Sequence, residues 1–329
     1  MDANTRERAE RIAKVAQAFG PDQDAVMVMN DRTCSLSAIE GTRWNRFCIG
    51  SQQGAVWPEQ HAEEVIIRLD TNKAVMRALL LAANSTVSEG SSIWIVGGND
   101  EGVKSFPTTA DGLVEDIETV AIKKRCRLLR AKSTAQRSTF SALKTERSIQ
   151  IGDRAHQWCT YPGSFSKGAV DAGSELLLRY LKTGNAEAQW HLADFACGTG
   201  VLAARLRQLY PKAHLDAIEA DSWALAATKE NVPEALALLS DGWKKVPFDR
   251  RYRLVVTNPP VHIGKETDYS ILRGFLQGAI PRLHRNGEVL LVLQGQVRLP
   301  RLIGTLYRNC EVVSEDRRYK VWRVSAPNR

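Results

Sequence analysis

The chain has 329 residues, 43% hydrophobic and 25% charged, an ordinary globular mixture long enough for two domains of about 150 residues each. That composition excludes a disordered, collagen-like or coiled-coil chain, and no apolar run approaches the roughly 18 residues of a membrane span. Lys plus Arg number 45 against 37 Asp plus Glu, a net charge of +8, so an anionic partner is more natural than a cationic one.

The first residues are of mixed charge without an apolar stretch, so no secretory signal is expected. Cysteines at 34, 48, 126, 159, 197 and 310 form no C-x-x-C pair. They read as reduced thiols of a cytoplasmic protein, not as a metal site or a disulfide framework. Met1 to Gly20 is a helix, with Ile12, Val15, Ala16 and Phe19 at helical spacing and Gly20-Pro21 as its stop. Val26 to Met29 is a short strand, and the stretch from Ser37 to Pro58 has no clear period. Lys73 to Ala83 is helical, and Ile93 to Val96 is a buried strand ending at Gly97-Gly98. A basic strand, Arg125 to Ala131, follows, and then a polar connector.

Between Ile122 and Arg154 there are ten bases, among them Lys123, Arg125 and Arg127, against only Glu146 and Asp153. Such a run is either a solvated face or a phosphate contact, and its place between two domains favours phosphate.

In the second half, Trp190 to Phe195 reads as a strand, Ala196-Cys197-Gly198-Thr199-Gly200 as a turn and Val201 to Leu209 as a helix. Strand, glycine turn and helix N-terminus let a backbone approach a ligand with its amides outward. The next strand, His214 to Ile218, ends in Glu219, 25 residues after Asp194. An acid there can accept both hydroxyls of a ribose. After the helix Ser222 to Glu230, Asp241 stands where a carboxylate can meet an adenine amine. Trp223 either lines that pocket or packs, and Cys197 reads as packing.

Tyr252 to Thr257 is a strand followed at once by Asn258-Pro259-Pro260. Two prolines end the strand and hold the preceding carbonyls rigidly outward. By itself this is a structural turn. Behind a glycine-rich loop and a ribose acid, the Asn258 oxygen and a backbone carbonyl can accept from one planar NH2, an arrangement for methylating an exocyclic amine or an amide. The rate would come from positioning, not from a strong base. Ile271 to Leu283 reads as a helix, Asn286-Gly287 as a turn and Glu288 to Leu293 as a strand. The basic segment Arg317 to Val324 repeats Lys124 to Ala131, with bases at positions 2, 4 and 7 of each. Helix, turn, strand and basic strand thus occur twice, which reads as a duplication.

These motifs resemble the class I S-adenosylmethionine-dependent methyltransferases of the N-P-P type. Tyr161-Pro162-Gly163-Ser164-Phe165-Ser166, Asp171-Ala172-Gly173-Ser174 with Leu176-Leu177-Leu178, Gly97-Gly98-Asn99-Asp100-Glu101-Gly102-Val103-Lys104-Ser105, and Asn258-Pro259-Pro260-Val261-His262-Ile263-Gly264 follow the order of the bacterial small-subunit rRNA guanine-N2 methyltransferases. The large-subunit rRNA enzymes share the first two.

The resemblance covers nearly everything from Val26. It implies an α/β protein of two tandem Rossmann-like methyltransferase domains, the N-terminal copy degenerate. The divisions would be 1–132, a basic connector 133–155, and a catalytic domain 156–329. It implies S-adenosylmethionine held by Asp194, Ala196, Gly198, Gly200, Glu219, Asp241 and Asn258. Asn258, Pro259 and Pro260 would carry the reaction. RNA would be held by Val261, His262, Phe165, Lys123, Arg125 and Arg127.

The implied reaction is methyl transfer to a guanine N2 amine of 16S rRNA by a cytoplasmic monomer that binds rRNA or the small ribosomal subunit, without metal or membrane. Alternatives are a large-subunit rRNA guanine, methylation of a protein glutamine or of adenine N6, and a non-catalytic RNA-binding assembly factor. Two positions depart from the pattern. Val261 stands where the family has an aromatic, and Ala196 where a glycine is usual. His262 either compensates for the missing aromatic or is a structural histidine.

Overall fold

The computed structural model describes residues 3–20, 25–164, 169–181, 183–260, 262–263, 266–267 and 269–327, with 262–263, 266–267 and 326–327 described by backbone alone. The chain divides into two compact units, Met1–Lys144 and Thr145–Arg329.

The first unit contains α1 (Ala3–Ala16), β1 (Val26–Met29), β2 (Thr42–Trp44), β3 (Glu64–Arg68), α2 (Lys73–Thr86) and β4 (Ser92–Gly98). It continues with α3 (Phe106–Ala110), β5 (Val114–Lys123) and β6 (Cys126–Ser133). The sheet order is β2-β1-β3-β4-β6-β5, with the first four strands parallel and β6 antiparallel to both neighbours. The apolar stripe of α1 delivers Ile12, Val15 and Ala16 to a core with Val26, Val28, Ile66, Trp94, Val96 and Leu128, and Phe19 packs edge-on against Trp94. α2 begins at Asn72, whose side chain accepts from the Ala74 and Val75 amides, and runs three residues beyond the expected Ala83.

The second unit contains β7 (Thr145–Ile151), β8 (Arg154–Thr160), α4 (Ala172–Tyr180), β9 (His191–Phe195), α5 (Val201–Leu209), β10 (His214–Glu219), α6 (Ser222–Asn231), β11 (Leu236–Leu239) and β12 (Tyr252–Thr257). Beyond these lie β13 (His262–Ile263), β14 (Glu266–Thr267), α7 (Ser270–Ala279), β15 (Leu283–Gln294), α8 (Leu299–Ile303), β16 (Tyr307–Glu315) and β17 (Tyr319–Pro327). The sheet order is β11-β10-β9-β12-β15-β17-β16, and only β17 runs against its neighbours. Thr145–Ile151 of the expected connector pair with β8, which itself begins inside the connector at Arg154, as the antiparallel β7–β8 hairpin.

Both faces of this second sheet are covered, which is why its central strands read as continuous apolar runs instead of alternating ones. Ala193, Phe195, Val255, Val289 and Leu291 face one core with Trp243, Phe275 and Leu276. Leu192, Leu254, Val256, Leu290 and Val292 face the other with Trp158, Leu177 and Leu206.

Two features differ from the sequence reading. The helix expected over 271–283 stops at Ala279, and a short 3-10 turn through Pro281 follows, since proline cannot donate to the helix ladder. Asn286-Gly287 is not a separate turn but lies within β15, where the register with β12 shifts. A Cβ at Gly287 would come within 2.5 Å of the Tyr252 carbonyl, so this close backbone approach requires glycine. Of the two readings left open for Trp223, its full burial decides for packing.

The duplication is visible in the pairing. In each unit the first core strand lies beside a parallel strand on either side, and an antiparallel strand follows further along the sheet. β6 and β17, the two basic segments, occupy the same place. Met29 pairs with Ile67 as Phe195 pairs with Thr257, so the next residues, Asn30 and Arg68, match Ala196 and Asn258. Asn30 even shares the left-handed backbone of Ala196, with φ of 62° and 56°. The chemistry does not match. Arg68 is buried and ion-paired with Glu101 at 2.6 Å. The turn after β1 closes on its own side chain, with Asp31 accepting from the Ser35 and Leu36 amides at 2.9 and 2.8 Å. β2 ends in Trp44 rather than an acid.

Candidate functional site

The site lies where β9, β10 and β12 end side by side. Ile218 is in register with Phe195, and Phe195 with Thr257, so Ala196, Glu219 and Asn258 emerge from neighbouring strands at one carboxyl edge. The sheet reverses its winding between β9 and β12, and such a switch point opens a crevice for a ligand.

The turn after β9 is built from left-handed residues: Ala196 at φ 56°, Gly198 at 57° and Gly200 at 90°. Gly198 has open space where a Cβ would stand, so the backbone itself faces the crevice, whereas a Cβ on Gly200 would press on Thr228 at 3.1 Å. Ala196 holds the left-handed conformation where a glycine would be less strained.

Two elements brace the turn from behind. Thr228 Oγ1 donates to the Gly198 carbonyl at 2.9 Å. Asn231 Nδ2 donates to the Thr199 and Cys159 carbonyls at 3.0 and 2.9 Å, and Trp158 Nε1 donates to Thr199 Oγ1 at 3.0 Å. Neither Thr228, Asn231 nor Trp158 carried a sequence signal; their roles appear only when α6 and β8 pack on the turn. Cys197 is buried against Thr228, and burial raises its thiol well above the usual range, which keeps it protonated.

Two carboxyl groups flank the turn. Asp194 is fully buried; its Oδ2 accepts from the Ala203 amide at 2.8 Å, and its Oδ1 has no protein partner. Burial holds it well above the usual carboxylate range, despite the Ala203 bond. Glu219 Oε2 accepts from Gly198 N–H at 2.9 Å, and its Oε1 from Ala220 and Asp221 N–H at 2.8 and 3.1 Å. Burial, and then the neighbouring Asp221 carboxylate, raise Glu219 as well. The Ser240 amide donates to the Glu219 carbonyl at 2.8 Å, which brings the loop after β11 to the same edge. Asp241 in that loop pairs with Lys244 at 2.6 Å on a partly exposed surface.

Across the switch point, Asn258 is half-buried, Pro259 buried and Pro260 exposed. Asn258 Nδ2 donates to both Asp171 carboxylate oxygens at 3.0 Å and to Ser174 Oγ at 3.1 Å. Asp171 is the N-cap of α4. Its D-x-G-S pattern marks a helix start, and nothing local connects it with Asn258. Tyr161 is buried and donates to Glu230 at 2.7 Å. Phe165, Val261 and the side chain of His262 lie outside the described residues.

Of the basic residues, Lys123 and Arg125 are exposed at the tip of the β5–β6 hairpin, where Lys124 and Arg125 make the left-handed turn. Arg127 is half-buried, with its Nε 3.3 Å from Asn99 Oδ1, and Arg130 is ion-paired with Glu118.

The fit to a nucleoside carrying a cationic sulfur is good on chemistry alone. The crevice has an acid on the strand that follows the turn, an orphaned carboxylate oxygen beneath the turn, and an unobstructed backbone at Gly198. Among the described residues no group of three or more His, Cys, Asp or Glu side chains is arranged to hold a metal ion.

Residues 155–323 match the family model described as the methyltransferase small domain, and residues 25–145 match that of its N-terminal domain. The chain is 26% identical to the ribosomal RNA small subunit methyltransferase C of Pseudomonas putida, over 97% of this chain and 98% of that one. It is 27% identical to the protein of the same name from Aliivibrio salmonicida, over 80% and 78% of the two chains. Among solved structures, a T. thermophilus 16S rRNA N2 guanine methyltransferase, in complex with AdoMet and guanosine, superposes with a TM-score of 0.80 at 19% identity, covering 97% of this chain and 92% of that one. That likeness establishes the two-domain fold.

Proposed function

The chain belongs to the methyltransferase small-domain family, and from that premise we propose that it methylates the exocyclic N2 amine of a guanine in 16S rRNA, with S-adenosylmethionine as donor. The observation that carries the reading is the alignment of three strand ends: the left-handed turn after β9, Glu219 after β10 and Asn258-Pro259 after β12. The bound cofactor supplies an electrophilic methyl group on a sulfonium. The left-handed turn leaves room for the cofactor over the Gly198 backbone, and Glu219 accepts from ribose hydroxyls. Asp241 takes the adenine amine once it exchanges its exposed Lys244 partner for it.

Asn258 Oδ1 and the Pro259 carbonyl accept the two hydrogens of the guanine amine. This turns the nitrogen lone pair toward the methyl carbon. As the new N–C bond forms and the methyl–sulfur bond breaks, its electron pair returning to sulfur to leave a neutral thioether, the nitrogen becomes positive, and the same two oxygens stabilise it before a proton leaves to water. Such stabilisation is greatest in the transition state, so it acts on turnover.

A guanine N2 amine lies inside a base pair, so the base must be flipped or presented in unpaired RNA. The exposed Lys123 and Arg125, and Arg127 to a lesser degree, follow the phosphates; Val261, His262 and Phe165 are assigned to the base by the sequence motifs alone. The small ribosomal subunit or its RNA is the partner, met in the cytoplasm, and the chain acts as a monomer.

Mass mapping of 16S rRNA from a deletion strain, with the purified chain added back, tests this. The expected result is one N2-methylguanine lost and then restored. Unchanged 16S rRNA would overturn the reading, and a methyl group lost instead from 23S rRNA would redirect it to the large subunit.

A further inference from the structure

We infer that Asp171, with Ser174, is a positioning residue that fixes the Asn258 carboxamide so that only its oxygen can meet the methyl acceptor. The inference rests on the reading of Asn258 as the group that holds the amine. The contact joins α4 to the end of β12 across 87 residues of sequence.

A primary amide nitrogen carries two donors and accepts nothing. Here three acceptor atoms, two from Asp171 at 3.0 Å and one from Ser174 at 3.1 Å, surround Asn258 Nδ2. Both N–H groups are therefore consumed. A flipped amide would set its oxygen against a carboxylate, so the partner's chemistry decides the orientation that electron density alone often leaves open. The oxygen is the end left for a ligand. A site so arranged recognises a hydrogen-bond donor, such as an exocyclic N–H, and disfavours a carbonyl or ring nitrogen in the same place.

The carboxylate also polarises the amide. Negative charge behind the NH2 draws density toward the amide oxygen, and linked hydrogen bonds strengthen one another. The oxygen thereby becomes a better partner for the positive charge that grows on the acceptor nitrogen.

Asp171 is itself held still. Its Oδ1 accepts from the Gly173 and Ser174 amides at 2.9 and 3.2 Å as the cap of α4, and Ser174 is 7% exposed. A side chain at position 173 would crowd this arrangement, because its Cβ would fall 3.1 Å from Asp171 Oδ1 and 3.4 Å from the Tyr319 ring.

Asp171→Ser and Asp171→Asn in the full chain test the inference. Serine and asparagine are both good N-caps, so α4 keeps its start. Serine is too short to reach Asn258, and asparagine turns a donor onto it. The single-turnover rate of rRNA methylation at saturating cofactor is expected to fall about 10- to 100-fold in both. The dissociation constant for S-adenosylmethionine should stay unchanged. The side-chain amide NMR resonances of Asn258, assigned by their loss in Asn258→Ala, should move in Asp171→Ser.

A role confined to capping α4 predicts wild-type rates and unmoved resonances in both variants, and that result overturns the inference. If wild-type protein makes no N2-methylguanine, the functional reading fails by itself. The NMR measurement then still decides whether Asp171 holds Asn258.

Discussion

Glu219→Gln changes one atom at the centre of the cofactor reading, and its cost can be worked from the hydrogen bonds. A carboxylate offers about four acceptor positions. Three are taken by backbone: Gly198 N–H on Oε2 at 2.9 Å, and Ala220 and Asp221 N–H on Oε1 at 2.8 and 3.1 Å. One position on Oε2 remains for a ribose hydroxyl, and a second opens only if the longest of the three bonds, from Asp221, is released.

Glutamine keeps a single oxygen. Turned toward Ala220 and Asp221, it sets its NH2 against Gly198 N–H and loses the ribose bond; turned the other way, it abandons the two amides that hold the side chain. The first orientation keeps two of the three backbone bonds and loses the charge-assisted bond to ribose, costing about 1.5–3 kcal/mol, or a Kd for S-adenosylmethionine weaker by about 10- to 150-fold. The pH dependence of stability should move separately. Glu219 is raised by burial and by Asp221, so the folded chain holds its proton more tightly than the unfolded chain. Stability from this group is therefore complete below the usual carboxylate range and falls as pH rises through the raised value. Glutamine removes that fall. Calorimetric titration with S-adenosylmethionine, alongside thermal melts from about pH 5 to about pH 8, measures both effects. A folded variant with an unchanged Kd would refute the assignment of Glu219 to ribose.

Asn258→Ala should leave cofactor affinity intact and slow single-turnover methylation by about 10²–10³, the cost of losing one preorganised transition-state contact; near wild-type rates would make Asn258-Pro259-Pro260 a structural turn. The triple variant Lys123→Ala, Arg125→Ala and Arg127→Ala should flatten the log–log salt dependence of RNA binding by roughly 0.7–0.9 per phosphate contact. Most of that should come from Lys123 and Arg125, because Arg127 is held by Asn99, and an unaltered slope in filter binding would return this run to an ordinary solvated face. Asp194→Asn removes a fully buried carboxyl that burial raises, by the same sign a group whose stabilisation is lost as pH rises. Thermal melts of the variant without cofactor should therefore lose less stability between about pH 5 and about pH 8 than the wild type; parallel pH profiles would show that Asp194 is ionised throughout.

What could be read locally was read from the sequence alone. Val201–Leu209 and Tyr252–Thr257 form the elements expected of them, because a glycine turn, a helical period and a double proline act over a few residues. Asp194, Gly198, Gly200, Glu219 and Asn258 could be placed at strand ends for the same reason.

The strands β3, β5, β11 and β16 were not legible. β5, β11 and β16 include many partly exposed positions, and pairing with a neighbour, not their own pattern, makes all four strands. β3 is a five-residue strand whose apolar part, Val65-Ile66-Ile67, lies between Glu64 and Arg68 and is too short to declare its period. The long β15 was hidden in part by Asn286-Gly287, a turn signal that a close backbone approach uses inside a strand instead.

The most consequential parts of the site depend on contacts between residues far apart in the chain. Only the register of β1 with β3 reveals that Arg68, locked to Glu101, stands in the first unit where Asn258 stands in the second. Only the packing of α4 on the end of β12 brings Asp171 to Asn258. Turns and helix starts are set by neighbours along the chain, whereas the orientation of a catalytic amide is set by whatever the fold places behind it.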